Sequence, residues 1–278
     1  MKLSDFKLKQ EKREKKAFYS SDFGKPILDL YFGFKGIVPT NPTEWYQTVK
    51  FGAGKGVEES MLKVLKDSGF VAEDYDQKTH GRIEIEREGV RINGYIDAIT
   101  KDGLPIEIKS INNKNQFDIA KYEDGKPREN YVGQLAIYMD ALGVDTGYLL
   151  VSSIDGLNYF LFECKKIGER KYKCKDTEVD LDKEYKRWSK LYSGNIEKDI
   201  EPKATEYLYK YDINTIDWNK LSKTAISKAR NNHAVVGDFQ ITYSPWADKI
   251  IEMQGTQRGY TEDEIKFIKE KTKGFSVK

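Results

Sequence analysis

Apolar and polar positions alternate most clearly along residues 90–110. In the first half of this stretch every second residue is apolar or small: Val90, Ile92, Gly94, Ile96 and Ala98. A period of two predicts a β-strand with one buried face. The alternation resumes after Lys101-Asp102-Gly103 and continues through Ile108, so the pattern predicts two strands that flank a glycine-containing turn.

The length of this turn decides which side chains meet across the hairpin. A two-residue loop at Asp102-Gly103 would pair Asp97 with Ile108 and put a charge on the apolar face. A three-residue loop, with Gly103 at a positive φ, pairs Asp97 with Glu107 instead. The apolar pattern favours the three-residue loop.

In that register two carboxylates lie close together on one strand face, with Lys109 beside them. Two like charges about 4 Å apart repel by about 4 kcal/mol at an effective dielectric constant of about 20, unless a cation neutralises them. A divalent metal ion with oxygen ligands would do so. A solvated hairpin face with ordinary charges is the alternative, and this stretch alone leaves both open.

The remaining pattern predicts alternating helices and strands. A helical period is found at 43–69, 131–142, 181–192 and 261–273, with helical turns at 18–34 and a basic helical segment at 218–233. Strands are predicted at 82–88, 147–152 and 157–164, with a further short strand at 239–243. Residues 165–175 are predicted to form a lysine-rich turn.

The order of these elements predicts the fold class. A helix, three strands, a helix and two strands are typical of an α/β sandwich with a mixed sheet. The sequence divides into a charged N-terminal arm at 1–17, a core at 18–165 and a mostly helical or irregular C-terminal extension at 166–278.

Composition narrows the type of site that the chain can build. The 278 residues are 38% hydrophobic and 33% charged, no apolar run is long enough to span a membrane, and no signal peptide is expected. The two cysteines and two histidines are too few for a zinc cluster, an iron–sulfur centre or a multi-histidine site. Reduced thiols in the cytoplasm are expected, and a metal site would need carboxylates, which suits Mg²⁺ or Mn²⁺. The net charge of +2 neither requires nor excludes nucleic acid.

The predicted helix at 43–69 contains a glycine cluster and two candidate carboxylates. Gly52, Gly54 and Gly56 would let its backbone approach a neighbour closely. Glu58 lies at the edge of the apolar stripe and Glu59 points further out. An ordinary solvated stripe edge is the alternative for both glutamates.

Three segments in order carry a family resemblance: G-Y-I-D at 94–97, P-I-E-I-K-S at 105–110 and G-Q-L-A-I-Y at 133–138. Together they resemble the RecB-like branch of the PD-(D/E)XK nuclease superfamily, over roughly residues 18–165. The resemblance implies a restriction-endonuclease-like core, with a central mixed β-sheet flanked by helices, and a metal-dependent DNA nuclease.

The resemblance also implies roles for individual residues. Asp97 and Glu107 would ligate one or two Mg²⁺ or Mn²⁺ ions with help from the backbone carbonyl of Ile108. Lys109 would position or activate the attacking water and stabilise charge at the phosphate. Because neighbouring carboxylates stabilise the ammonium form, orienting water and screening charge is the favoured role for Lys109.

Gln134 and Tyr138 are spaced i, i+4 and share a helix face. Alone they would be read as an ordinary amphipathic edge. In the resemblance they hold the DNA strand or orient Lys109.

The chain departs from the family pattern in two places. Many RecB-like members have a histidine four residues after a glycine on the helix that precedes the sheet, and here Glu58 stands four residues after Gly54. A glutamate binds a hard cation well, so Glu58 is a candidate ligand, and Glu59 remains an alternative. Several relatives carry four cysteines for an iron–sulfur cluster, which this chain lacks.

The expected function is therefore DNA hydrolysis, most simply by an exonuclease in recombination, repair or phage DNA processing. A structure- or sequence-specific endonuclease and a catalytically silent DNA-binding module are the alternatives, and intact Asp97, Glu107 and Lys109 argue against the silent module. DNA is the expected partner, with recombination or single-strand-binding proteins as further candidates and no membrane. The expected location is the cytoplasm, or a host cytoplasm for a viral protein.

Overall fold

The computed structural model describes residues 14–41, 45–112, 116–155, 158–202, 213–221, 223–230, 244–253 and 260–274. The strands are β1 Phe18–Tyr19, β2 Arg82–Arg87, β3 Val90–Tyr95, β4 Ala98–Ile99, β5 Pro105–Ile111, β6 Thr146–Ser153, β7 Tyr159–Gly168, β8 Lys171–Cys174 and β9 Thr177–Asp180. The α-helices are α1 Ile27–Phe34, α2 Trp45–Asp67, α3 Gln77–His80, α4 Gln116–Glu123, α5 Glu129–Leu142, α6 Leu181–Leu191, α7 Lys223–Arg230, α8 Ala247–Met253 and α9 Glu262–Lys271. Single helical turns lie at Ser20–Asp22, Tyr192–Ile196 and Trp218–Lys220.

The described residues fall into two compact units. The first unit includes Lys15–Lys25 and Thr43–Ile200, and the second includes Pro26–Pro42 and Glu201–Lys278. All residues of the candidate site described below belong to the first unit. The division at residue 165 stays a prediction, and the strands that follow this residue extend the sheet of the first unit.

In the described part of the first unit, six strands form a sheet in the order β4-β5-β6-β7-β8-β9. β5 and β6 pair in parallel, and the other neighbours pair antiparallel, so the sheet is mixed. The strand predicted at 147–152 is β6, which lies between β5 and β7 with Leu149 and Val151 fully buried. The predicted fold class, α/β with a mixed sheet flanked by helices, is confirmed.

Helices cover both faces of the sheet around β5 and β6. On one face Met61, Leu62 and Leu65 of α2 pack against a buried cluster that includes Ile106 and Ile108. α5 covers the opposite face, where a Cβ at Gly147 of β6 would meet Met139 and Leu135 of this helix. Gly147 alternates with Tyr148, which packs on the α2 side, so the two point to opposite faces.

The contact with α5 is close at Gly147 in β6. A Cβ there would lie 3.0 Å from Cγ of Met139 and 3.1 Å from Cδ1 of Leu135. A larger residue at this strand position would require the Met139 and Leu135 side chains to shift, so Gly147 favours the close packing of α5 on the sheet.

The predicted strand through Asp97 is divided between two sheets. β3 ends at Tyr95 and pairs with β1 and β2 in a separate three-stranded sheet. A single strand from Val90 through Ala98 is therefore wrong. The physical reason lies at Ile96, whose N–H donates to Gly81 O at 2.8 Å and whose carbonyl accepts from Tyr75 Oη at 2.7 Å.

The predicted three-residue loop is confirmed. β4 pairs with β5 in the register Ala98↔Ile106 and Ile99↔Pro105, and Thr100 N–H donates to Leu104 O at 2.9 Å. Gly103 has a φ of +82°, the left-handed region that glycine adopts without steric cost.

The predicted lysine-rich turn at 165–175 is wrong. β7 continues to Gly168 and β8 follows, with Tyr172 and Cys174 buried and the intervening lysines exposed. This short alternation is a strand pattern that the lysine content obscures. Cys164 and Cys174 lie directly opposite each other and form a disulfide, so the expectation of reduced thiols is also wrong.

In the second unit Ala229, Tyr260 and Ile268 form a buried apolar cluster. Phe32 of α1 is buried as well, and its ring centroid lies 5.7 Å from that of Trp246. The Trp246 indole N–H donates to Ile37 O at 3.0 Å. A capping box between Thr261 and Glu264 opens α9, which lies within the helix predicted at 261–273. The predicted strand at 239–243 and parts of the predicted helical segment at 218–233 lie outside the described residues. No helix in the described ranges is long and apolar enough to cross a membrane.

Candidate active site

Asp97 and Glu107 meet where β4 joins β5. Continuing the register of Ala98↔Ile106 by one residue places Asp97 opposite Glu107, as the sequence pattern predicts. Both side chains are buried, with 8% of Asp97 and 0% of Glu107 exposed. A mostly polar strand face was expected here. The burial of Glu107 differs from that expectation because β5 is covered on both sides.

The backbone of Ile108 is turned toward Asp97. Its N–H donates to Asp97 Oδ2 at 2.8 Å. The residue that would continue the ladder opposite Ile108 is Ile96, whose N–H and C=O are bound to Gly81 and Tyr75 instead. In an extended strand the N–H and C=O of one residue point to the same edge, so the Ile108 carbonyl also faces this edge.

Glu107 is ion-paired with Lys109, the next residue on the same face of β5. Apart from this ammonium group and the neighbouring Asp97 carboxyl, neither oxygen of Glu107 has a hydrogen-bond partner among the described residues. A fully buried carboxylate with so few donors is destabilised unless a further cation or proton is present.

The pKa values of Asp97 and Glu107 also indicate that their charged forms are disfavoured without a further cation. Burial raises the pKa of Asp97 well above its usual range, and the charges of Glu107 and Glu58 raise it further against the effect of Lys109. Burial also raises the pKa of Glu107, although Lys109 opposes this shift. Two neighbouring acids whose charged forms are disfavoured are well suited to a divalent cation, because such an ion stabilises both carboxylates at once.

Lys109 lies between these carboxylates and an aromatic ring. Its Nζ is 5.6 Å from the ring centroid of Tyr131, and 24% of its side chain is exposed. Burial alone would lower the pKa of Lys109, but the charges of Glu107 and Asp97 outweigh burial and raise the pKa. The side chain is therefore a cation, which favours screening and orientation over proton abstraction.

α2 brings Glu58 to the site. At Gly54 the helix approaches β5 so closely that a Cβ would lie 2.8 Å from Ser110 Oγ, whereas a Cβ at Gly52 or Gly56 would meet open space. One turn further, the charge of Glu58 acts on both Asp97 and Glu107. Glu59 is 70% exposed and lies 3.9 Å from Lys55, so of the two glutamates Glu58 is the one directed toward the site.

Among the described residues, no three Asp, Glu, His or Cys side chains already form a cluster that would hold a metal ion. Asp97 and Glu107 are brought together, and Glu58 acts on them electrostatically without joining a compact cluster. The groups that could hold a metal ion are therefore two buried carboxylates, a backbone carbonyl at the same edge and the Glu58 carboxylate on α2.

Tyr138 is a buried hydrogen-bond node. Its hydroxyl accepts from Ser20 Oγ and from Gln134 Nε2 and donates to Tyr95 O, each at 2.9 Å. Burial and the charges of Glu107 and Asp97 raise the pKa of this phenol above its usual range, so it stays protonated. These contacts tie α5 to the end of β3 and favour a supporting role for Tyr138, with the half-buried Gln134 more accessible.

Sequence reasoning missed three residues of the site. Gln77 donates from Nε2 to Asp97 Oδ1 at 2.9 Å, Tyr75 binds the carbonyl before Asp97, and Tyr131 lies under Lys109. The helix-capping pattern from Asp76 to Thr79 was a signal for α3, because Asp76 accepts from Thr79 N–H at 2.9 Å. Nothing in the sequence indicated which way this short helix would point.

No protein-family model matches the chain, and no curated protein sequence matches it. Solved structures with some similarity include SSO0001, at 17% identity and a TM-score of 0.41 over 76% of this chain and 90% of that chain. An alkaline exonuclease (LHK-Exo) from Laribacter hongkongensis is 17% identical, with a TM-score of 0.40 over 66% of this chain and 90% of its own. A second structure of LHK-Exo, in complex with dAMP, gives 16% identity and the same TM-score. Identities and TM-scores are low, so the function proposed below rests on the chain's own residues.

Proposed function

We propose that the chain is a Mg²⁺- or Mn²⁺-dependent deoxyribonuclease of the PD-(D/E)XK type. The observation that supports this most strongly is the meeting of two buried carboxylates, Asp97 and Glu107, with Lys109 at one edge of a mixed sheet. The pKa of each carboxyl group is raised, as expected of ligands that need a cation.

Phosphodiester hydrolysis needs a nucleophilic water and stabilisation of negative charge that develops on the phosphate. A bound divalent ion supplies both. Asp97, Glu107 and the carbonyl of Ile108 would hold the ion, with Glu58 as a further ligand from α2. Hard oxygen donors without histidine or cysteine suit Mg²⁺ and Mn²⁺.

Lys109 acts as a cation in this proposal. Its ammonium group is held by Glu107, and 24% of the Lys109 side chain is exposed. A phosphate oxygen or the attacking water would reach the ammonium group from this exposed side. It donates hydrogen bonds, orients the water and screens charge on the phosphate. Gln134 is half-buried and donates a hydrogen bond to the buried Tyr138 hydroxyl. As the more accessible of the two side chains, it would contact the nucleic-acid strand.

Within this class the chain is proposed to be an exonuclease. The support is the resemblance of the segment at 133–138 to the Q-x-x-x-Y helix of end-processing RecB-like members. Recombination, repair or phage DNA processing is the setting proposed for it. Recombination or single-strand-binding proteins are the proposed partners.

The test is digestion of end-labelled linear and closed circular DNA, single- and double-stranded, with Mn²⁺ and then with EDTA. Metal-dependent loss of linear DNA alone is expected. Cleavage of circles would replace the exonuclease by an endonuclease on the same site. Binding without cleavage of any substrate would contradict the nuclease and leave a silent DNA-binding module.

A further inference from the structure

Gln77 makes a direct contact with a proposed metal ligand. Its Nε2 donates to Asp97 Oδ1 at 2.9 Å, while Oδ2 of the same carboxylate accepts from Ile108 N–H at 2.8 Å. Each oxygen of Asp97 is thereby fixed by one neutral donor from a different part of the chain. A carboxylate oxygen has two lone-pair directions, so one direction on each oxygen stays available to a cation.

The helix that carries Gln77 is itself anchored. The Asp76 side chain accepts from the Thr79 N–H at 2.9 Å and from the Thr79 hydroxyl at 2.8 Å, and the Asp76 N–H donates to His80 Nδ1 at 2.9 Å. These bonds fix the first turn of α3, the element from which the Gln77 side chain extends.

The end of α3 lies against the chain just before Asp97. A Cβ at Gly81 would come within 2.5 Å of Ile96 O and 2.6 Å of Tyr75 Oη, so no side chain fits there. Tyr75 Oη and Gly81 O bind the two backbone groups of Ile96. The segment 75–81 therefore fixes both the backbone before Asp97 and the Asp97 carboxylate.

An amide at this position differs in effect from a cation. A lysine or arginine would neutralise Asp97 and compete with a metal ion, whereas the amide orients the carboxylate and leaves its charge intact. Removal of a hydrogen-bond donor that orients a metal-ligating side chain commonly weakens metal binding.

We infer that Gln77 is a positioning residue, which holds Asp97 in the orientation that binds the divalent ion. This inference rests on the proposed function and adds a residue outside the three segments that carry the family resemblance. Its effect on the reaction is exerted through Asp97 and not through contact with the substrate.

The test compares Mn²⁺ binding to the full chain without DNA, measured by isothermal titration calorimetry, in three variants. Gln77→Met keeps the side-chain length and removes the donor, and Gln77→Asn keeps the amide but is too short to reach Asp97. Lys78→Met, at the exposed next position of α3, is the matched control. Thermal melting of the metal-free proteins identifies any variant that fails to fold.

Both Gln77 variants are expected to bind Mn²⁺ about 10-fold more weakly than wild type and Lys78→Met. Their cleavage rates should recover when the Mn²⁺ concentration is raised, which a general loss of structure would not allow. If the wild-type protein binds Mn²⁺ and cleaves DNA, and both Gln77 variants bind Mn²⁺ as tightly as wild type, the inference is overturned and the proposed function stays intact. Absence of Mn²⁺ binding and cleavage in the wild type overturns both.

Discussion

Oδ2 of Asp97 accepts a hydrogen bond from the backbone N–H of Ile108 at 2.8 Å, where a continuing β-strand would have offered a carbonyl. Ile96, the residue before Asp97, does not pair with β5, because its N–H and C=O are bound to Gly81 and Tyr75. An acid thus takes the place of a strand partner at the edge of β5. This arrangement buries Asp97 beside Glu107 and makes the pair costly without a cation.

The first prediction concerns the stability of the metal-free protein. Burial and the charge of Glu107 raise the pKa of Asp97, so the folded state binds more protons than the unfolded state above the usual carboxyl range. The free energy of unfolding should therefore fall as the pH rises from about 4 toward neutrality. Asp97→Asn removes the charge, and its amide oxygen can still accept from the Ile108 N–H. A flip of the Gln77 amide lets its oxygen accept from the new NH2 group, so this variant should melt higher than wild type.

Melting curves of both proteins in EDTA between about pH 5 and pH 8 measure this effect. The difference in melting temperature between Asp97→Asn and wild type should grow with pH. A gain of about 1 kcal/mol corresponds to roughly 2–4 °C. Glu59→Gln, at an exposed carboxylate, is the control and should leave Tm unchanged. A lower Tm for Asp97→Asn than for wild type at neutral pH would show that the buried charges of Asp97 and Glu107 do not destabilise the metal-free protein.

The second prediction separates the two glutamates of α2. Glu58 acts on Asp97 and Glu107, whereas Glu59 faces solvent near Lys55. Glu58→Gln should weaken Mn²⁺ binding and reduce cleavage, and Glu59→Gln should do neither. The measurement is Mn²⁺ titration together with the initial cleavage rate. Equal behaviour of the two variants would remove Glu58 from the set of ligands.

The third prediction tests the buried hydroxyl of Tyr138. Tyr138→Phe keeps the ring but leaves Ser20, Gln134 and the Tyr95 carbonyl without their shared partner. Such a loss should lower the free energy of unfolding by about 1–3 kcal/mol. Tyr159→Phe, at a side chain that is 73% exposed, should change it by less than about 0.5 kcal/mol. Urea denaturation of both variants measures the difference, and a neutral Tyr138→Phe would show that the network adds no stability.

The fourth prediction uses two glycines in helices. A Cβ at Gly133 would lie 2.1 Å from Cδ1 of the Phe23 ring, whereas a Cβ at Gly56 would meet nothing within 4 Å. Gly133→Ala should therefore destabilise the protein by about 1–3 kcal/mol through overpacking. Gly56→Ala should stabilise it by about 0.5–1 kcal/mol through helix propensity. Chemical denaturation gives both values, and a stabilising Gly133→Ala would mean that α5 does not pack on Phe23 as described.

The hairpin register was predictable because it depends on local parity. Side chains alternate every residue, so the apolar pattern around Gly103 determined the loop length and with it the pairing of Asp97 with Glu107. The amphipathic helices α2, α5 and α6 were predictable for a similar reason, since three- and four-residue spacing marks their buried faces.

The remaining features depend on distant parts of the chain. The break at Ile96 arises from Tyr75 and Gly81, and the contact of Gln77 with Asp97 follows from that break. The burial of Glu107 depends on α5 covering the second face of β5. None of these contacts leaves a periodic signal in the sequence, because each joins a single residue to a partner in another element.

Lys109→Ala gives the most direct test of the central claim that DNA is hydrolysed at this edge of the sheet. The variant loses the cation beside Glu107, and Lys165→Ala, at an exposed lysine of β7, is the matched control. With Mn²⁺ present, DNA cleavage by Lys109→Ala should fall by at least about 100-fold, while the variant still folds and binds DNA. Its melting temperature in EDTA should fall, because Glu107 loses its buried cation. Cleavage by Lys109→Ala at the wild-type rate would show that hydrolysis occurs elsewhere and would contradict the assignment of this site.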